Sequence, residues 1–284
     1  MHPMQLVQEV EHLFSLPDVA IRIDRMIDAP ATSSRQLSEA VQLDANLVAT
    51  VLKLANSAWY GLPSKVDTIS RAITLIGQKA LRDLVLSTAV IRTFRGIPEE
   101  FVSMLDFWDN SVHCGVIARA LGQKCMCHDN EHLFLAGLMH KIGRLVFYVS
   151  RPMQYRQVLH AKDGGEAALI AAEREVFGFT YADLGGALLK AWGLPANLQN
   201  AISLQLDPVY YQSQPNEAAI ITVASNMANH MSPDIRERNK ASAYVPSFDA
   251  SVLDLIGLSN DDLTEIMQFS LVHAIELIEI VNPS

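Results

Sequence analysis

The chain is short of cysteine, with three in 284 residues: Cys114, Cys125 and Cys127. An odd count, two of them a single residue apart, does not make a disulfide framework. Reduced thiols in a cytoplasmic protein fit it better. Basic charge is also scarce, 22 Lys and Arg against 31 Asp and Glu, for a net charge of −9. That balance argues against a broad phosphate-backbone footprint, which needs clustered cations, and so against nucleic acid as a partner. No uncharged apolar run reaches the roughly 18 residues of a membrane span. The start, Met1-His-Pro-Met-Gln-Leu-Val7, has no basic region ahead of an apolar one, so no secretory signal is expected. Nothing in the first hundred residues alternates with period two over a useful length, so that part reads as short packed helices, and no fixed-period repeat is evident along the chain.

What is present is a large apolar fraction, 50% of residues, with 19% charged. That supplies a proper core and suits one large domain or two ordinary ones. The apolar residues recur with helical spacing. Asp44 is a good N-cap for a helix carrying Leu47, Val48, Val51, Leu52 and Ala55 on one side. Ile69, Ala72, Ile73 and Ile76 form a short helix closed by Gly77 in a C′ role, and Leu81, Leu84, Val85 and Ala89 continue the pattern. A final helix after Leu258-Ser-Asn-Asp-Asp262 puts Leu263, Ile266, Met267, Leu271, Ile275 and Ile278 on its buried face. The reading is an all-α multi-helix bundle of about a dozen helices in two lobes. Gly96-Ile-Pro98 is the candidate break, giving an N-terminal helical lobe over 1–105 and a second lobe over 106–284. The polar stretch 232–250, with Arg236-Glu-Arg-Asn-Lys240, is expected as a surface loop.

Several ordered motifs run through the chain. They are Leu16-Pro-Asp-Val19, Asp44-Ala-Asn-Leu47, Leu52-Lys-Leu-Ala-Asn-Ser-Ala-Trp-Tyr-Gly61 and Ile69-Ser-Arg-Ala-Ile73. Further on come Leu135-Ala-Gly-Leu-Met-His140, Gly185-Gly-Ala-Leu-Leu189 and Trp192-Gly-Leu-Pro195. Together they resemble the HDOD family of bacterial signalling domains, from about residue 10 to about 232. The eight residues Leu54 to Gly61 are the most specific part. That family is similar to the HD superfamily of metal-dependent phosphohydrolases. The resemblance implies an all-α fold with an HD-like C-terminal lobe, a regulatory setting, and a hydrolase site that is generally lost.

HD hydrolases hold divalent ions with His and Asp side chains from several helices. The resemblance carries their first His onto His113 and the His of the His-Asp pair onto His140. The paired Asp falls on Lys141, whose ammonium has no lone pair to give while protonated. Later ligand positions fall on Tyr181, Gln205 and Asn226. Two neutral imidazoles without a carboxylate are a poor site for Mg²⁺ or Mn²⁺, so neither metal, cofactor nor turnover is expected. Left in its place is a remnant pocket of His113, His140, Lys141, Tyr181, Gln205 and Asn226. One reading makes the two histidines satisfied core residues. Another converts the pocket into an anion site, where Lys141 replaces the metal's charge and receives a phosphate or nucleotide. The expected function is a non-catalytic signalling module acting on a protein partner, the alternative a metal-dependent phosphohydrolase.

Three smaller features carry bland readings. Cys125-Met-Cys127-His128, with His132 nearby, has thiolate and imidazole for zinc, but C-x-C spacing crowds both thiolates in one loop, and a helix connection is expected. Trp59-Tyr60 is expected to pack between lobes, and Asn56 to bond the backbone where its helix breaks. Lys79, Arg82 and Arg92 read as a solvated basic face.

Overall fold

The computed structural model describes residues 2–10, 12–94, 97–126, 132–207, 217–231, 253–254 and 256–281. Among them the regular structure is helical throughout. The helices are α1 (Pro3–Val10), α2 (Asp18–Asp28), α3 (Ser34–Val41), α4 (Ala45–Ala55), α5 (Ile69–Thr93), α6 (Met104–Lys124) and α7 (His132–Met139). They continue as α8 (Ile142–Ser150), α9 (Pro152–Leu159), α10 (Gly165–Phe177), α11 (Tyr181–Ala191), α12 (Ala196–Ser203), α13 (Glu217–Asn229) and α14 (Asn260–Val281). Cys127, His128 and the 232–250 stretch lie outside the described residues.

The helix starts follow from local chemistry. The Asp44 carboxylate accepts from the Leu47 N–H at 2.9 Å, as its N-cap position predicts. Thr180 and Asp183 form a capping box at the head of α11. Asn56 ends α4 by donating to the Leu52 and Val66 carbonyls, both at 2.7 Å, while accepting from the Val66 N–H. Gly77 does not end a helix outright. α5 passes through it with a kink, at φ 86° and ψ 169°, a backbone that suits glycine.

α5 packs against α2, α3 and α4 and reaches across to α7. α6 is the central rod, with α7, α13 and α14 around it. It meets α7 at a glycine crossing, where a Cβ on Gly137 would lie 2.6 Å from the Gly115 Cα. The helices approach that closely only because neither residue has a side chain there. α1 leaves α2 and packs on α11 and α8 through Leu6, Val7 and Val10. The Trp192 indole N–H donates to the Phe14 carbonyl at 2.6 Å, pinning the same end. Buried side chains form one continuous core from Leu6 to Leu277. His132–Ser150, which spans α7 and α8, is long and apolar enough for a membrane by composition, and 89% of that window is buried in this core.

α14 corrects the sequence reading of its face. Leu271 is 41% and Ile275 54% exposed, while Leu263, Ile266, Ser270, Ala274 and Leu277 are buried. The small side chains Ser270 and Ala274 let the helix settle closely on α6, and that choice turns the larger apolar pair outward.

Candidate functional site

α7 ends at Met139 and α8 begins at Ile142, so His140 and Lys141 form the two-residue joint between them. The joint is held in place by Gly143. A Cβ there would sit 2.1 Å from the Tyr181 carbonyl oxygen, so the first turn of α8 lies directly on the start of α11. Gln205, just beyond α12, braces the joint from another side. Its amide nitrogen donates to the His140 and Ile202 carbonyls, both at 2.8 Å.

His140 is fully buried. Its Nδ1 lies 2.7 Å from the Gly137 carbonyl, which can only accept, so Nδ1 carries the proton and Nε2 is a bare acceptor. Nε2 finds no hydrogen-bond partner among the described residues. Burial, and then the charge of Lys141 beside it, hold the imidazole pKa down at about 3. The ring is therefore neutral at ordinary pH.

Lys141 is 9% exposed. Its Nζ donates to Asn229 Oδ1 at 2.6 Å and Asn110 Oδ1 at 3.3 Å, with Glu166 Oε2 at 3.9 Å. Burial pulls its pKa down, and Glu166 pulls the other way. Glu166 accepts from Arg144 Nη1 at 2.9 Å. Burial would raise that carboxyl, but Lys141 and Arg144 outweigh it and hold the group at about 2. Arg144 then donates through Nε to Glu173 Oε1 at 3.0 Å. Glu173, fully buried, also accepts from the Tyr155 hydroxyl at 2.6 Å and the Tyr181 N–H at 2.7 Å. The Arg144 guanidinium stacks 4.4 Å over the Tyr181 ring. The result is an alternating row, Lys141, Glu166, Arg144, Glu173, with two cations and two anions.

The structure thus gathers His140, Lys141, Tyr181 and Gln205 around one joint. His113 is buried on α6 with its Nδ1 2.9 Å from Ser270 Oγ of α14, so it helps seat the last helix. Asn226 is exposed, and the α13 amide that reaches Lys141 is Asn229, almost one turn later. Arg144, Glu166, Glu173, Asn110 and Asn229 were not legible as site residues. Arg144 alone carried a signal, a lone cation inside the apolar run Ile142–Val149, where burial demands an anion. Glu173 carried none, because α10 reads as an ordinary amphipathic helix.

Trp59 packs as its position predicts. Its ring lies 6.3 Å from Phe134 on α7 and 5.5 Å from Phe269 on α14. The Arg119 guanidinium caps Trp59 at 5.1 Å and Tyr60 at 5.3 Å. Arg82 is not a solvated cation, since it pairs with Asp24 at 3.0 Å and with Asp28. Arg92 pairs with Asp44 at 3.0 Å.

The residues at the joint do not fit a divalent ion. Among the described residues no group of three His, Cys, Asp or Glu side chains converges. His140 offers one lone pair, and an ammonium stands next to it where a carboxylate would be needed.

The HDOD domain family matches residues 13–208. A crystal structure of a Shewanella amazonensis protein, provisionally named a phosphohydrolase, is 25% identical with a TM-score of 0.76, covering 97% of each chain. A Methylococcus capsulatus response regulator, MmoQ, is 25% identical with a TM-score of 0.50, covering 90% of this chain and 97% of that one. A Treponema pallidum protein of uncharacterised function is 23% identical over 201 residues, 69% of this chain, which spans only 38% of that relative's length.

Proposed function

The chain belongs to the HDOD domain family, and from that premise we propose that it is a cytoplasmic signalling and regulatory module that works by binding a protein partner rather than by turnover. The observation that carries this reading is Lys141. The resemblance to HD hydrolases puts a metal-binding carboxylate at this position, and here an ammonium is tied to Asn229 and Asn110 instead. A dication beside it would meet repulsion of several kcal/mol at about 4 Å and low effective dielectric. In the row from Lys141 to Glu173 two cationic and two anionic side chains balance one another.

The phosphohydrolase reading has one observation on its side, the unpartnered Nε2 of His140. Among the described residues no carboxylate bonds that nitrogen. An anion or nucleotide in the same pocket is the weaker alternative, because Lys141 and Arg144 are already matched by Glu166 and Glu173.

The test is hydrolysis of bis-p-nitrophenyl phosphate with Mn²⁺. No turnover above a metal blank is expected for the wild type. Turnover that disappears in His140→Ala would overturn the reading.

A further inference from the structure

α14 lies beyond the family match at residue 208 and has an unusual outward face. Val272 is 71%, Ile275 54% and Leu271 41% exposed, and they fall together at helical spacing midway along the helix. A run of large apolar side chains left in water is the usual mark of a docking face. The ends of the helix are acidic. Asp261, Asp262 and Glu265 stand at one end and Glu276 and Glu279 at the other, with no Lys or Arg anywhere in Asn260–Val281. Lys124 of α6 pairs with Asp262 and Glu265, and Glu276 accepts from the Ala58 N–H, which leaves Asp261 and Glu279 exposed.

This charge pattern selects the occupant. A second copy laid antiparallel would bring Glu279 of one helix to the start of the other, where Lys124 offsets only one of the three carboxylates Asp261, Asp262 and Glu265, and a parallel copy would set each acid against itself. Both arrangements put like charges together on either side of the apolar patch. An occupant with cations at both ends relieves that repulsion instead of adding to it.

We propose that the outward face of α14 is a docking surface for an amphipathic helix of a separate partner protein, apolar along one side and basic in its first and last turns. Leu271, Val272 and Ile275 supply the contact, and the terminal carboxylates set orientation and speed of encounter. The surface is wired to the rest of the fold. Ser270 of α14 bonds His113, and the half-exposed Phe269 ring lies 5.5 Å from Trp59 in a tilted contact. The proposal rests on the reading of the chain as an interaction module, and deepens it by naming where the partner binds and with what chemistry.

The test uses the whole protein and a labelled synthetic helical peptide with leucines along one side and lysines in both end turns, followed by fluorescence anisotropy. Saturable one-to-one binding that weakens with salt is expected. Val272→Asp should weaken it at least about tenfold, and Glu279→Lys should weaken it too, while a peptide with glutamates in place of the lysines should not bind. Both positions face water, so circular dichroism should give unchanged melting, and Ile275→Asn serves as a second variant. Failure of the lysine peptide to bind, or binding indifferent to Val272→Asp, would overturn the proposal. So would a wild-type dimer in sedimentation equilibrium that dissociates in Val272→Asp, since a second copy would then be the occupant. His140-dependent turnover bears only on the non-catalytic reading, so the two claims fail separately.

Discussion

Lys141 Nζ and Asn229 Oδ1 lie 2.6 Å apart, joining the α7–α8 link to the end of α13. They stand 88 positions apart in the sequence. That bond turns the ammonium toward α13 while Glu166 balances its charge from α10.

Removing the ammonium leaves Glu166 with Arg144 alone and strips a donor from two half-buried amide oxygens. Lys141→Met should therefore destabilise the protein by about 2 kcal/mol. Lys141→Asp restores a His-Asp pair on paper, but sets a new carboxylate close to Glu166. It should cost more than Lys141→Met, as like charges crowd in a buried site, and should confer no hydrolysis. Denaturant titration of the three proteins checks the order, and Lys141→Asp as stable as wild type would contradict it.

Glu173 accepts from Arg144, from Tyr155 and from the Tyr181 N–H, so both its oxygens are committed to donors. Glu173→Gln must turn an amide NH₂ toward one of those donors and leaves Arg144 half paired. A loss on the order of 3 kcal/mol is expected. The check is the denaturation midpoint, which should fall further than in Glu175→Gln on the same helix.

Stability should fall with acid in two stages. His140 keeps a folded pKa of about 3 against an ordinary 6.5, so the unfolded chain binds a proton that the folded one refuses as pH drops below 6.5. Glu166 is held at about 2 against an ordinary 4.5, so its share of stability is present above 4.5 and lost on descent toward 2. Both depressions have the same sign. Each unit is worth about 1.4 kcal/mol, so the pair should together cost several kcal/mol by pH 3. Unfolding free energies from pH 7 to pH 3 test this, and His140→Asn should flatten the upper part of the curve.

Much of this was legible from the residues. The capping side chains, the helical periodicity and the packing of Trp59 all follow from local pattern, because caps and apolar stripes act within a few residues. Lys141 stood out in the sequence as a cation beside His140. Its partners did not, because Asn110, Glu166 and Asn229 meet it only through the tertiary arrangement of three other helices. The resemblance assigns Asn226 to the pocket, whereas the register of α13, set by packing on α6, turns Asn229 toward Lys141. α14 misled for a related reason. Its larger apolar residues and its small ones, Ser270 and Ala274, define different faces, and close approach to α6 chose the small ones.

Gly143 marks where the fold tolerates least. A methyl group there meets the Tyr181 carbonyl at 2.1 Å, and both belong to packed backbone. Gly143→Ala should cost about 3 kcal/mol or more, or prevent folding outright. Thermal melting should separate it from Gly164→Ala, where the added Cβ meets only the Ala168 side chain, at 2.7 Å.

The central proposal is that the His140–Lys141 joint, with Glu166 beside it, holds no divalent ion. Isothermal titration of the wild type and of His140→Ala with Mn²⁺ tests it most directly. The account predicts that the two proteins give the same isotherm, with only the weak binding that surface carboxylates afford. Stoichiometric binding by the wild type that is lost in His140→Ala would contradict it.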